Sequence, residues 1–135
     1  MFVDTSAIVA MLAKERDATE LALRLARAKR PVTSGLVILE ASMVLSTVLG
    51  VEPREAEAAI LALLDQTRTL IVPIDGEIAD YAVAAFTTYG KGRHRARLNM
   101  SDCMSYACAK AHRVPLLVKG EDFAATDIVA ALSAT

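Results

Sequence analysis

Four acidic residues scattered along the chain, Asp4, Glu40, Asp102 and Asp122, could do chemistry together if the fold brought them to one place. Carboxylates with no convergent histidine or cysteine select a hard cation such as Mg2+ or Mn2+, which is held through one or two of them and keeps several waters. Burying like charges together raises their pKa values and destabilises a fold unless a cation binds among them. Phosphoryl transfer is the reaction that needs such a centre. There a metal neutralises the phosphate, lowers the pKa of an attacking water and stabilises the leaving oxygen, and two ions about 4 Å apart divide those tasks. No protein nucleophile is required. Thr5 and Ser6 read as caps and as donors that orient the Asp4 carboxylate, since no histidine stands near enough to activate a hydroxyl.

Each acid also has a plainer reading. Asp4 could cap a helix, Asp102 directly after Ser101 could be a first-turn acid favoured by the helix dipole, and Asp122 could be a turn residue. Glu40 is harder to dismiss. Positions 36 to 49 are otherwise almost entirely apolar or small, and charged side chains are rarely buried without a partner. Asp75 also follows a strand-like run, but capping the next helix accounts for it.

A basic stretch lies beside the acids. Lys91-Gly92-Arg93-His94-Arg95-Ala96-Arg97 holds four formal cations and a histidine, and it leads directly into Asp102. Such a loop next to an acidic metal crevice suits a polyanion, with Lys and Arg holding phosphates while the metal cuts one. A solvated loop or a partner-docking segment is the alternative. His94 alone reads as a surface residue, and His112 as a favourable contact at a helix C-terminus.

The elements that must position these residues follow from periodicity. Apolar runs of strand length alternate with segments of helical period, the signature of βαβ units and a parallel sheet. The first strand ends at Asp4. Ser6 is expected to cap a short helix to about Lys14, and Asp17 with Glu20 to form a capping box opening a helix to about Ala28. Pro31 to Ser34 reads as the second strand. A helix from about Leu36 to Leu49 follows, ending at Gly50, with Val37, Ala41, Val44 and Val48 as its buried stripe. Pro53 suits the first turn of a helix to about Thr67, with Ala56, Ile60, Leu63 and Leu64 inward. A third strand spans Leu70 to Ile74, and Asp75 caps a helix to about Tyr89. Gly90 to Asn99 has neither period. Ser101 is expected to cap a helix from Asp102 to about His112, before a fourth strand at Val114 to Val118 and a short fifth at Thr126 to Ala131. In a parallel sheet all strands end at one edge, so Asp4, Glu40, Asp102 and Asp122 should face one crevice.

Length and composition fit a single domain, residues 1–135. The hydrophobic share is 54% and the aromatic share 4%, so the core is built from Ala, Leu, Val and Ile. Apolar content this high means thorough burial, apolar surface covered by a partner, or both. The net charge of −1 excludes a global field for nucleic acid, leaving only a local site. Cys103 and Cys108 are spaced for neither a disulfide nor a metal site and read as buried thiols in a reducing compartment. No apolar run approaches the roughly 20 residues needed to cross a bilayer, and the N-terminus has no leader pattern, so a cytoplasmic protein with no membrane partner is expected.

Taken in order, Val3-Asp4-Thr5-Ser6-Ala7, Glu40 within a helix of apolar and small residues, Tyr89-Gly90-Lys91-Gly92-Arg93-His94 to Leu98-Asn99, Asp102-Cys103, and Lys119-Gly120-Glu121-Asp122-Phe123 resemble the PIN-domain ribonucleases. More narrowly the chain is similar to the VapC toxins of type II toxin–antitoxin systems, over essentially its whole length. The resemblance implies a three-layer α/β/α sandwich with a mainly parallel sheet, Mg2+ or Mn2+ dependence, and endonucleolytic cleavage of RNA, commonly a tRNA or an rRNA site. It also implies homodimerisation and neutralisation by a VapB-like antitoxin. The metal site falls on Asp4, Glu40 and Asp102, with Thr5, Ser6 and Ser101 supporting it and Lys91, Arg93, His94, Arg95 and Arg97 contacting RNA. Many PIN domains read Thr-x-Asp-x-Asp-Phe at the fourth acid, whereas this chain has glycine at 120. Asp122 takes that role, with Glu121 as the fallback. Two rival readings are a non-catalytic PIN-like binding module and a receiver-like signalling domain with Asp75 as phosphoacceptor and Lys119 after a strand.

Overall fold

The structure, a computed structural model, describes residues 1–129. Its sheet consists of β1 (Phe2–Val3), β2 (Val32–Ser34), β3 (Leu70–Val72) and β4 (Leu116–Leu117) in the order β3-β2-β1-β4, with every pairing parallel. Phe2 pairs with Val32 on one side and with Leu116 on the other. No fifth strand forms at residues 126–129, although the Val129 carbonyl accepts a hydrogen bond of 2.9 Å from the Leu116 N–H. The end of that expected strand, at residues 130 and 131, lies outside the described residues.

The helices are α1 (Thr5–Leu12), α2 (Ala18–Arg27), α3 (Gly35–Leu49), α4 (Pro53–Gln66), α5 (Gly76–Tyr89) and α6 (Met100–His112). Two crossovers, β1 to β2 through α1 and α2, and β2 to β3 through α3 and α4, step in one direction across the sheet. The third carries α5 and α6 back past β2 and β1 to β4. Right-handed crossovers of opposite direction lay their helices on opposite faces, which gives the expected three-layer α/β/α sandwich. Packing agrees: α1 rests on α2, α3 and α4, while α5 rests on α6.

Phe2, Val3, Leu116 and Leu117 are almost wholly buried, as the central strands of a parallel sheet covered on both faces must be. Local chemistry sets most boundaries. Gly50 ends α3 in the left-handed region at φ 64°, Pro53 opens α4, and the Asp75 side chain caps α5 by accepting from the Ile78 N–H at 3.1 Å.

Three expected caps differ. Asp4, not Ser6, caps α1; Asn99, not Ser101, caps α6; and Asp17 precedes α2 without a side-chain cap bond, so no capping box forms there. The stripe on α3 also differs, since Val37, Ala41, Ser42 and Leu45 are buried while Val44 and Val48 are 38% and 60% exposed. Burial follows the row of every fourth residue, 37, 41 and 45, rather than alternating steps of four and three. On α4 the inward residues are Ala56, Ile60 and Leu64, with Leu63 half-buried.

Candidate active site

β1 lies between β2 and β4, and the direction of chain progression reverses across it. Such a switch point opens a crevice beyond the carboxyl ends of the two strands that flank it. Asp4 follows β1 directly and Lys119 lies two residues past β4, so both stand at that crevice.

Asp4 is 7% exposed and its carboxylate is held at both oxygens. Oδ2 accepts from the Ser6 N–H at 3.0 Å and from the Ser6 hydroxyl at 2.7 Å, while Oδ1 accepts from the Ser105 hydroxyl at 2.6 Å. Ser6 Oγ also accepts from the Lys119 N–H at 3.0 Å, tying the end of β1 to the end of β4. Thr5 is buried alongside but is not among the donors to the carboxylate. Burial pushes the Asp4 carboxyl above its ordinary range; hydrogen bonds from Ser105 and Ser6 oppose this, and the Glu40 charge adds to it.

Asp102 sits in the first turn of α6 as half of a capping box. Asn99 Oδ1 accepts from the Asp102 N–H at 2.9 Å, and Asp102 Oδ2 accepts from the Asn99 N–H at 3.1 Å. Ser101, expected to support the acid, instead donates to Asn99 Oδ1 at 3.0 Å and so steadies the cap. The Asp102 carboxyl is pushed up to about 6, first by burial, against the Asn99 N–H bond, and then by the charges of Asp4, Asp122 and Glu40. Three acids from three other parts of the chain therefore act on one carboxylate. Asp75, spent on its cap, is not among them.

No ion pair among the described residues neutralises Asp4, Glu40, Asp102 or Asp122; the pairs that form are Arg24–Glu20, Arg54–Glu57, Lys110–Asp127 and Lys119–Glu15. Nor, among the described residues, do three acids or other ligands stand close enough to enclose a metal ion. The donor set fits a hard cation that binds one or two carboxylates and reaches the rest through water, and does not fit a closed all-protein cage.

Asp102 opens onto a cleft of about 470 Å³. Two chain segments line it, a basic wall of Lys91, Arg95, Arg97 and Asn99 and an acidic wall of Glu121, Asp122 and Ala125. Asp4, buried, and Glu40, half-buried, are not among the residues that line it. The basic loop is closed at its base: the Lys91 N–H donates to the Leu98 carbonyl at 2.9 Å and the Leu98 N–H to the Tyr89 carbonyl at 3.0 Å, above a fully buried Leu98. Arg93 turns away from the cleft, its guanidinium 5.5 Å from the centre of the Phe86 ring. His94 meets the Tyr89 ring edge-on at 5.2 Å, and its Nδ1 accepts from the Ala96 N–H at 3.0 Å. Gly120 has φ +91°, a left-handed conformation that favours glycine over an acid, so the departure from the common motif has a backbone cause.

Sequence reasoning missed Ser105 and Asn99. Ser105 stands three positions after Asp102, one helical turn along the same face, and it is 2% exposed among apolar neighbours. That spacing was the available signal. Cys103 and Cys108 are free, buried thiols as expected; burial, and then the Asp75 charge, pushes Cys108 up to about 11.

A parallel α/β/α fold with a buried, hydrogen-bonded Asp4 at its switch point defines a class, and the family model described as PIN domain matches residues 1–129. The chain belongs to the PIN-domain family and, by its curated relatives, to the VapC ribonucleases within it. It is 43% identical over 128 residues to Ribonuclease VapC30 of Mycobacterium tuberculosis, covering 95% of each chain. It is 42% identical over 130 residues to Ribonuclease VapC of Mycolicibacterium smegmatis, covering 96% of this chain and 98% of that one. Among solved structures, M. tuberculosis VapC20, a Sarcin-Ricin loop cleaving toxin, matches with a TM-score of 0.74 at 20% identity over 95% of each chain. A toxin–antitoxin complex from Klebsiella pneumoniae matches at 0.68 and 23% identity, over 93% of this chain and 92% of that one. At those identities the two structures speak to the fold.

Proposed function

We propose that this chain is a metal-dependent endoribonuclease and the toxin of a toxin–antitoxin pair, acting in the cytoplasm on a structured RNA of the tRNA or rRNA class. The observation that carries the reading is the Asp102 carboxyl, raised to about 6 in a cleft that Lys91, Arg95 and Arg97 also line. Asp4, Glu40 and Asp102 would hold Mg2+ or Mn2+, with Asp122, whose charge reaches Asp102, as the fourth acid and Glu121 beside it. When bound, the ion supplies the charge that neutralises a phosphodiester and acidifies the attacking water. Ser6 and Ser105 fix the Asp4 carboxylate so that it need not reorganise when the ion arrives. Lys91, Arg95 and Arg97 hold flanking phosphates, and Arg93 and His94 extend that contact at the outer rim of the loop.

Two coverings are also proposed, a VapB-like antitoxin and a second copy of the chain, and two exposed apolar surfaces support them. Leu39 and Met43, one turn apart on α3, form one. Val83, Phe86 and Met100 border the other, an apolar groove of about 400 Å³ between α5 and α6. We assign the first to the antitoxin and the second to the dimer; Val83→Asp with Phe86→Asp should then yield a monomer by light scattering that still binds antitoxin.

The deciding experiment maps cleavage ends in total RNA with wild type and Asp4→Asn side by side, with Mg2+ and with excess EDTA. Discrete ends only for wild type with metal are expected. Equal cleavage in EDTA would overturn the metal mechanism, and Mg2+ binding unaltered by Asp4→Asn would favour a non-catalytic binding module.

A further inference from the structure

A path of contacts, side chain to side chain except at its two ends, joins the two walls of the cleft through α6. On the acidic wall, the segment that carries Glu121, Asp122 and Ala125 continues to Asp127. The Tyr106 hydroxyl donates to Asp127 Oδ1, and the Lys110 ammonium, 5.6 Å from the centre of the Tyr106 ring, donates to Oδ2 at 2.8 Å. The Tyr106 ring lies 5.7 Å from that of Tyr89, centre to centre, and Tyr89 in turn meets His94. His94 Nδ1 receives the Ala96 N–H, and Ala96 lines the basic wall between Arg95 and Arg97.

We propose that Tyr106, clamped by Asp127, is a positioning residue that holds the basic and acidic walls of the cleft at a fixed separation. Tyr106 is 7% exposed, and neither it nor Asp127 lines the cleft, so the pair has no direct reach to a substrate there. Nor does the pair touch the Asp4 carboxylate, whose partners are Ser6 and Ser105. Loosening it should therefore disturb how RNA is gripped and leave the acids in place. Aromatic contacts and one charge-assisted hydrogen bond are directional enough to fix such a spacing. The activity half of this inference rests on the nuclease reading above; the structural half does not.

The test is Tyr106→Phe, which keeps the ring and deletes the hydroxyl, with Asp127→Ala as a second route to the same release. Losing a charge-assisted hydrogen bond should raise KM for RNA about tenfold and leave kcat within about twofold. Independently of RNA, amide hydrogen exchange at Ala96 and Arg97 should quicken about tenfold, while the amides in the middle of α6 exchange as in wild type. Faster exchange in a protein whose wild type cuts no RNA would support the positioning role and remove the nuclease reading. Unchanged exchange in both variants overturns the proposal whatever the activity does. A fall in kcat with KM unchanged also overturns it, since Tyr106 would then be acting on the acids.

Discussion

Replacing Asp102 by Asn should make the metal-free protein more stable while removing its activity. Asn99 caps α6 through a reciprocal bond, and an Asn at 102 keeps a side-chain oxygen to accept the Asn99 N–H, so the cap survives. What disappears is a carboxylate raised from an ordinary 3.8 to about 6 by burial and by three like charges. Two pKa units correspond to about 3 kcal/mol, and solvent access to this half-buried group reduces that to about 1–2 kcal/mol. The folded chain binds the proton more tightly than the unfolded chain, so the penalty is full above about pH 6 and fades as pH falls toward the ordinary carboxylate value. In thermal melts with EDTA at pH 7.5, the variant should melt about 3–6 °C above wild type, with the gap closing by about pH 4. Added Mg2+ should raise the wild-type midpoint and leave the variant nearly unmoved. A variant that melts lower at pH 7.5, or a gap that persists at pH 4, would refute the idea that the fold holds the Asp102 carboxylate at a cost set by burial and then by its acidic neighbours.

Other substitutions probe the packing and the loop. Leu45→Ala should cost about 2–4 kcal/mol in urea unfolding, and Val48→Ala less than about 0.5 kcal/mol, because only the first side chain is buried. Gly90→Ala would drive a Cβ into both the ring and the carbonyl oxygen of Phe86, so it should destabilise the loop and speed tryptic cleavage at Lys91 to Arg97. Arg95→Ala with Arg97→Ala should flatten the salt dependence of RNA binding by about 0.7 per lost contact, and Arg93→Ala, turned toward Phe86, should flatten it less. For Asp127, burial pushes the carboxyl up but the Lys110 and Tyr106 bonds outweigh it and hold it below its usual range. The clamp should therefore persist at neutral pH and be lost in acid, which increased exchange at Ala96 in acid, after correction for intrinsic rates, would report.

What could be read from the chain was what local chemistry decides. Gly50, Pro53 and Asp75 mark helix ends because each acts on its own backbone, and the alternation of strands and helices pointed to the parallel sheet. Ser101 was mistaken for the cap because its hydroxyl and the Asn99 amide are two positions apart and either can cap; the reciprocal bond with Asp102 decides for Asn99. The stripe on α3 was misplaced because both rows satisfy helical period, and only the angle at which the helix crosses its neighbours selects Leu45 over Val44. Ser105 escaped notice because its partner Asp4 lies 101 residues away, a contact no local pattern encodes. Val3-Asp4-Thr5-Ser6 was informative for the opposite reason, since the strand end, the cap and the acid are consecutive.

The position of β1 between β2 and β4 also bears on when the crevice can exist. The neighbours of Phe2 and Val3 on one side are Leu116 and Leu117, and the bond from Lys119 to Ser6 closes over a separation of 113 residues. Contacts of such span form late, after the cost of closing the intervening loop has been met. Until Leu116 and Leu117 pair with β1, the cleft is missing a wall. The cleft is thus completed only when the longest-range pairing of the sheet closes, by strand order alone.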